Sequence, residues 1–246
     1  MKNKDIPLEE RIILALDVAE PELAKEWVRK TEAKIGFYKV GLQLFLAGWF
    51  DIVDWIIDRG HKVMVDLKFF DIPETVKLAM MQLRDRGVTF ATVHGNDPII
   101  RAALEAGSGR DDGLKILAVT VLTSFGEEDM RAMGMTGTIE ELVYFRAKRA
   151  LELGCDGVVS SGLEAARLRQ GLGDKLLIVT PGIRPGANIE DSGDDQTRIM
   201  TASRAMANGA DYVVVGRPIT RAAEPLAVIS GLQEEIGVAL RAACNS

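Results

Sequence analysis

The sequence predicts an α/β fold, a closed (β/α)8 barrel of the TIM type, with residues 1–246 forming one domain. Three observations predict it. Eight short runs rich in β-branched residues recur along the chain, and longer amphipathic stretches separate them. The short runs are apolar on both faces, as parallel strands covered by helices require. About 250 residues is also the usual length for eight such units. A doubly wound open sheet is the competing architecture, but its first strand usually runs into a GxGxxG turn, and here that turn reads LDVAEPE.

The expected strands follow in order. RIILALDV starts at Arg11, GFYKVG at Gly36, HKVMVDLK at His61 and TFATVHG at Thr89. KILAVTVLT starts at Lys115, DGVVSSG at Asp156, LLIVTPGI at Leu176 and YVVVGRPI at Tyr212. Helical patterns lie between them, among them PELAKEWVRKTEA after the first and IPETVKLAMMQLRDRG after the third. Gly60, Gly87, Gly154 and Gly209 stand where helices end, as left-handed C-terminal positions prefer. Met80, Met81, Trp49 and Trp55 fit helix faces packed on the sheet. RPGANIEDSGDDQTR, Arg184 to Arg198, exceeds an ordinary βα loop and suits a lid as well as a solvated excursion.

Composition narrows the chemistry. The net charge is −6, so no overall basic surface invites nucleic acid or an anionic membrane, and an anionic ligand must be held by a few local cations. MKNKDIPLEE lacks a signal-peptide apolar core, and no apolar run is long enough for a membrane span. Two cysteines without metal-ligand spacing and two distant histidines suit a reducing cytoplasm and give little support to a metal site.

In such a barrel the site lies at the C-terminal ends of the strands. Asp17, Lys39, Asp66, Lys68, His94, Thr123, Ser124, Ser160, Arg184 and Arg217 all fall there. Each alone fits a solvated rim charge; together they converge on the barrel axis. Asp66 and Lys68, two residues apart on a strand, share a face, and Lys39 on the next strand can bring a second ammonium to Asp66. Such an array is costly to preorganise without a functional return. Gly216 permits close backbone approach and Arg217 supplies a bidentate cation, while Arg184 and Gln196 lie on the adjoining segment, where barrels often bind phosphate. His94 has no carboxylate or cysteine partner in sequence and reads as structural. Ser160 and Ser161 lack a nucleophile elbow, which argues against a serine hydrolase.

The motifs LALDV, YKVGLQLF, VDLKFFDIPETV, AVTVLTS, VTPGIRP, GDDQTRIMT and YVVVGRPIT occur in that order and together resemble the bacterial-type orotidine 5′-monophosphate decarboxylases. DxKxxDIPxT combined with PGIRP and VGRP is specific; a bare DxKxxD also occurs in magnesium-dependent sugar-phosphate decarboxylases of related barrels. Many bacterial members read DLKFHDIPNT, whereas this chain carries Phe70 and Glu74. The resemblance implies decarboxylation of orotidine 5′-monophosphate to UMP without cofactor or metal, through a carbanion at C6 of the pyrimidine. It implies Lys68 as the acid that protonates C6, Asp66 near the substrate carboxylate, and Lys39 holding the array and touching the ribose. It implies a cytoplasmic homodimer in which Asp71 and Thr75 reach the neighbouring subunit's site. Asp17 would accept from ribose hydroxyls, Thr123 and Ser124 would meet the pyrimidine edge, and Arg184, Gln196, Gly216 and Arg217 would hold the phosphate. Two other readings stay open: a magnesium-dependent sugar-phosphate decarboxylase or aldolase, and a non-catalytic phosphate-binding barrel.

Overall fold

A computed structural model of the chain describes residues 4–107, 113–186 and 199–244. Its parallel strands close into a barrel in sequential order, β1 to β8, with β8 returning to β1. They are β1 (Ile12–Ala15), β2 (Phe37–Gly41), β3 (Lys62–Phe69), β4 (Phe90–His94), β5 (Lys115–Val119), β6 (Gly157–Val159), β7 (Leu177–Thr180) and β8 (Tyr212–Val215). Each lies inside a run the sequence marks as a strand, except that β3 continues one residue further, to Phe69. This is the predicted TIM barrel.

Helices cover the outside. α1 (Leu8–Arg11) precedes β1; α2 (Pro21–Thr31), α3 (Leu42–Asp58), α4 (Pro73–Asp85) and α5 (Asp97–Gly107) follow β1 to β4. α6 (Glu127–Ala132) and α7 (Ile139–Leu153) follow β5, and α8 (Gly162–Leu172) follows β6. α9 (Ala202–Ala207) follows β7, and α10 (Arg217–Thr220) and α11 (Pro225–Cys244) follow β8. Local chemistry explains several boundaries. α2 and α4 begin with proline, whose missing N–H costs nothing in the first turn. Thr138 and Glu141 form a reciprocal capping box on α7. Gly60, Gly87, Gly154 and Gly209 all adopt positive φ, as expected of helix ends.

Alternation along the strands produces two cores. Outward residues such as Leu14, Val40, Val65 and Ala118 pack beneath the helices, and inward residues such as Ile13, Met64, Val119 and Val214 fill the barrel. Low in the barrel, Phe37, Phe90 and Tyr212 meet with ring centroids 4.9–5.8 Å apart. They come from β2, β4 and β8, and Gly157 on β6 holds the fourth place of that even-strand layer. A Cβ at Gly157 would sit 2.6 Å from the Leu177 carbonyl oxygen, so only glycine fits beside the three rings. The aromatic layer closes the barrel below the site.

One expectation about packing fails. Met80 is buried and Trp55 and Met81 are partly buried against the core, but Trp49 is 61% exposed. Its backbone (φ 44°, ψ −138°) breaks α3 into two helical segments, and the break turns the indole out of the apolar stripe. The helical period cannot be carried across that kink.

Candidate active site

The charged end of β3 results from a broken ladder. Val65 pairs with Ala91 and Phe69 with Val93, so Asp66, Leu67 and Lys68 all lie opposite Thr92. The extra length is absorbed at Lys68, which adopts φ +50°, a left-handed conformation that is uncommon outside glycine. Leu67 and Phe69 pack outward against the main core. Asp66 and Lys68 do converge, yet through this bulge rather than through regular strand alternation alone.

Four charged side chains alternate in sign across β2, β3 and the end of β1. Lys39 Nζ donates to Asp17 Oδ1 at 2.9 Å and lies 3.6 Å from Asp66 Oδ2. Lys68 Nζ donates to Asp66 Oδ1 at 2.8 Å. The Thr92 hydroxyl donates to the same oxygen at 2.9 Å and accepts from the Lys68 backbone N–H at 3.0 Å. Burial by itself would push the Asp66 carboxyl up, but Lys39, Lys68 and Thr92 together hold it below the usual carboxylate range. Burial likewise opposes the charge on Lys39, yet Asp66 and Asp17 keep its ammonium above its ordinary value. Lys39 and Asp66 thus each hold the other's charged form. Side-chain exposure falls to 10–13% at Lys39 and Asp66 and rises to 38% at Lys68, which faces open space.

That space is a pocket of about 240 Å³ at the C-terminal end of the barrel. Asp17, Lys39, Asp66 and Lys68 line it together with Arg184, Gly216 and Arg217. Met64, Val119, Val159 and Val214 give it apolar wall, and Thr123 and Ser160 add hydroxyls. Arg217 opens α10 directly after β8, and the Gly216 side of the strand end would bring a Cβ to 3.3 Å from Ala15 Cβ. Arg184 is buried and donates to the Ile183 carbonyl at 2.8 Å. The geometry offers two cationic groups for an anion, a mixed charged array, and apolar walls that would exclude water from a flat ring between them.

Not every expected residue reaches this pocket. Asp71 and Thr75 are exposed on the rim and outside its lining, and Asp71 Oδ1 accepts from its neighbour Ile72 N–H at 2.6 Å. Ser124 is exposed beside Thr123 and does not line it. Gln196, and with it most of the long loop after Arg184, lies outside the described residues. His94 stacks against Phe70 with centroids 4.7 Å apart and contacts Asn96 through Nδ1. Among the described residues no group of three His, Cys, Asp or Glu side chains could hold a metal ion. Thr92 escapes a reading of strand ends because it sits within β4. The available signal was a hydroxyl at an inward position, between Phe90 and His94.

Comparison with known proteins agrees with this geometry. The chain matches the family model described as orotidine 5′-phosphate decarboxylase / HUMPS family over residues 10–232. It is 50% identical over 238 residues to an orotidine 5′-phosphate decarboxylase of Methylococcus capsulatus, covering 96% of each chain. It is 43% identical to the Bradyrhizobium diazoefficiens enzyme of the same name over 98% of this chain and 100% of the other. The crystal structure of orotidine 5′-phosphate decarboxylase from Lactobacillus acidophilus superposes with a TM-score of 0.79 at 34% identity, over 92% of this chain and 99% of that one. A closed eight-stranded barrel, an alternating Lys–Asp–Lys array and full-length similarity lead to one assignment: this chain belongs to the orotidine 5′-phosphate decarboxylase / HUMPS family.

Proposed function

We propose that the chain is a carboxy-lyase that converts orotidine 5′-monophosphate to UMP and CO2, the last step of de novo pyrimidine nucleotide synthesis, without a cofactor. Full-length similarity to decarboxylases of that name supports the overall reaction. A substrate of that pathway fits the cytoplasm.

The observation that carries the mechanism is Lys68 Nζ, held 2.8 Å from Asp66 and exposed into a pocket that Arg184 and Arg217 also line. Arg184 and Arg217, with Gly216 and Gln196, would grip the phosphate and fix the nucleotide's reach. Asp17 and Lys39 would meet the ribose hydroxyls, and Thr123 and Ser124 the pyrimidine edge. The ring's C6 carboxylate then lies against the Asp66–Lys68 pair. The C6–carboxylate bond breaks with its electron pair left on C6, and CO2 departs. The Lys68 ammonium stabilises that developing charge and delivers its proton to C6; the amine is reprotonated from water. Catalysis here is electrostatic, from charges already oriented before substrate arrives.

Asp71 and Thr75 belong to a two-fold homodimer in this reading, each reaching the partner's pocket. Their exposure beside Phe70 and Ile72, which are 64% and 70% exposed, supports an apolar rim covered by a second copy. The overall reaction is tested by following the loss of orotate absorbance in orotidine 5′-monophosphate with EDTA present, and by identifying UMP as product. Turnover in chelator is expected. Activity on sugar phosphates that disappears with chelator would overturn the proposal in favour of a magnesium-dependent relative.

A further inference from the structure

We infer that Thr92 is a positioning residue for the decarboxylation, its single hydroxyl locking both the backbone and the counter-ion of Lys68; this rests on the decarboxylase reading above. Thr92 is fully buried and does not line the pocket, so it acts through its neighbours and not on substrate. An ionised carboxylate can only accept, so the Thr92 O–H must point at Asp66 Oδ1, 2.9 Å away. That leaves an oxygen lone pair for the Lys68 N–H at 3.0 Å. The direction of both bonds is thereby fixed.

The bulge explains why such a lock is needed. Opposite Thr92 the ladder carries three residues of β3 against one of β4, so regular strand pairing does not hold the Lys68 N–H. Lys68 also takes a left-handed backbone that costs a non-glycine residue energy. A side-chain oxygen from the next strand supplies the missing acceptor at that point. The same oxygen occupies one donor position around Asp66, whose remaining partners are Lys68 at Oδ1 and Lys39 at Oδ2. Without the hydroxyl, Asp66 keeps two cations but loses the neutral donor that sets its rotation, and the Lys68 main chain is released.

The test compares three variants with wild type in the intact protein. Thr92→Val removes the hydroxyl at nearly constant shape, Thr92→Ser keeps it, and Thr92→Cys retains only a weak donor. Expected for Thr92→Val is a kcat loss of roughly 30- to 100-fold with KM changed less than about threefold, since misplacement of a reacting group acts on the chemical step. Thr92→Ser should stay within about threefold of wild type, and Thr92→Cys should fall between them, which keeps the test open if the valine variant does not fold.

The pH profile separates positioning from mere support of the fold. The ionisable groups around Asp66 are Asp17 at the end of β1, Lys39 on β2, Lys68 on its own strand, His94 further along β4, and Arg184 and Arg217 in the pocket lining. None of them is altered in the variants. Loss of a donor to the carboxylate makes its charged form harder to keep, so the acidic limb of kcat should move to higher pH in Thr92→Val and stay in place in Thr92→Ser. A Thr92→Val enzyme within threefold of wild type overturns the inference, as does a slow one with an unmoved acidic limb and an equally slow serine variant. Wild type inactive on orotidine 5′-monophosphate would instead overturn the decarboxylase reading itself.

Discussion

The two ends of the barrel each bury a carboxylate among cations, and they use it in opposite ways. At the N-terminal end, Asp211 Oδ2 accepts from Lys4 Nζ, Arg169 Nη2 and the Ile178 N–H, each at 2.8 Å. The cations there are also tied to main chain: Lys4 to the Leu176 carbonyl, Arg169 to those of Gly173, Leu176 and Gly209, and Arg11 to those of Lys4 and Asp211. At the C-terminal end, Asp66 is held by the side chains of Lys68, Thr92 and Lys39, and the ammonium of Lys68 faces the pocket.

The charge balance differs in the same sense. Burial pulls the Lys4 ammonium below its ordinary value and Arg169 adds to the pull, against the attraction of Asp211 and, more weakly, Asp174. Lys39 is buried too, yet two carboxylates flank it and its ammonium sits above its ordinary value. One cluster ties Lys4 and Arg11 to the starts of β7 and β8; the other holds the charge on Lys39 and leaves Lys68 facing open space. Equivalent residue types are therefore either tied into the fold or presented to a cavity, according to whether their remaining bonds go to main chain or to open space.

Substitutions at the two ends should separate these roles. The largest effect is expected from Lys68→Ala, which should lower kcat by at least about a thousandfold while the folded protein still binds UMP. Residual activity within about tenfold of wild type, roughly 1.4 kcal/mol in barrier, would refute the acid assignment. Asp211→Ala should do the reverse: about 3–5 kcal/mol of stability lost in denaturant titration, because Arg169 and Lys4 are left without their buried counter-charge, and kcat per folded molecule preserved. A loss of kcat in the folded variant would mean that the lower cluster also shapes the site.

Smaller effects resolve the pocket itself. Arg217→Ala should weaken UMP by about 1.5–3 kcal/mol, the scale of a charge-assisted contact, and leave uridine nearly unaffected. Equal weakening of both ligands, measured by calorimetry, would remove Arg217 from the phosphate. Last, Lys68→Ala and Asp71→Ala proteins, mixed under conditions of subunit exchange, should recover about a quarter of wild-type activity. Half of a statistical mixture is heterodimer, and each heterodimer has one undamaged site of two. No recovery after verified exchange would return Asp71 to its own barrel.

Much of this organisation was legible in the residues. Seven of the eight strands lie within the apolar β-branched runs and β3 passes its run by Phe69 alone, because a parallel strand buried on both faces has to be written that way. The glycines at four helix ends were legible for a similarly local reason. Lys39, Asp66, Lys68, Arg184 and Arg217 could be placed because a closed barrel sends every strand's C-terminal end to one face. From resemblance alone Asp71 and Thr75 were expected in the neighbouring subunit's site and Ser124 in this one, and the single barrel leaves all three on its surface.

By itself the sequence determined the strand and helix periods, the order of the elements and the set of charges available at one rim. These depend on neighbours within a few positions, where steric preference and amphipathicity act directly. The tertiary structure alone decided which charges pair. The bulge at Lys68, the hydroxyl of Thr92 beneath it, the outward turn of Trp49 and the clasp of Arg11, Arg169, Lys4 and Asp211 join residues separated by 24 to 207 positions or break the local period. Such contacts arise when closing the barrel fixes strand registers against one another. Electrostatics and hydrogen bonding at 3 Å respond to that final register, which no short stretch of sequence encodes.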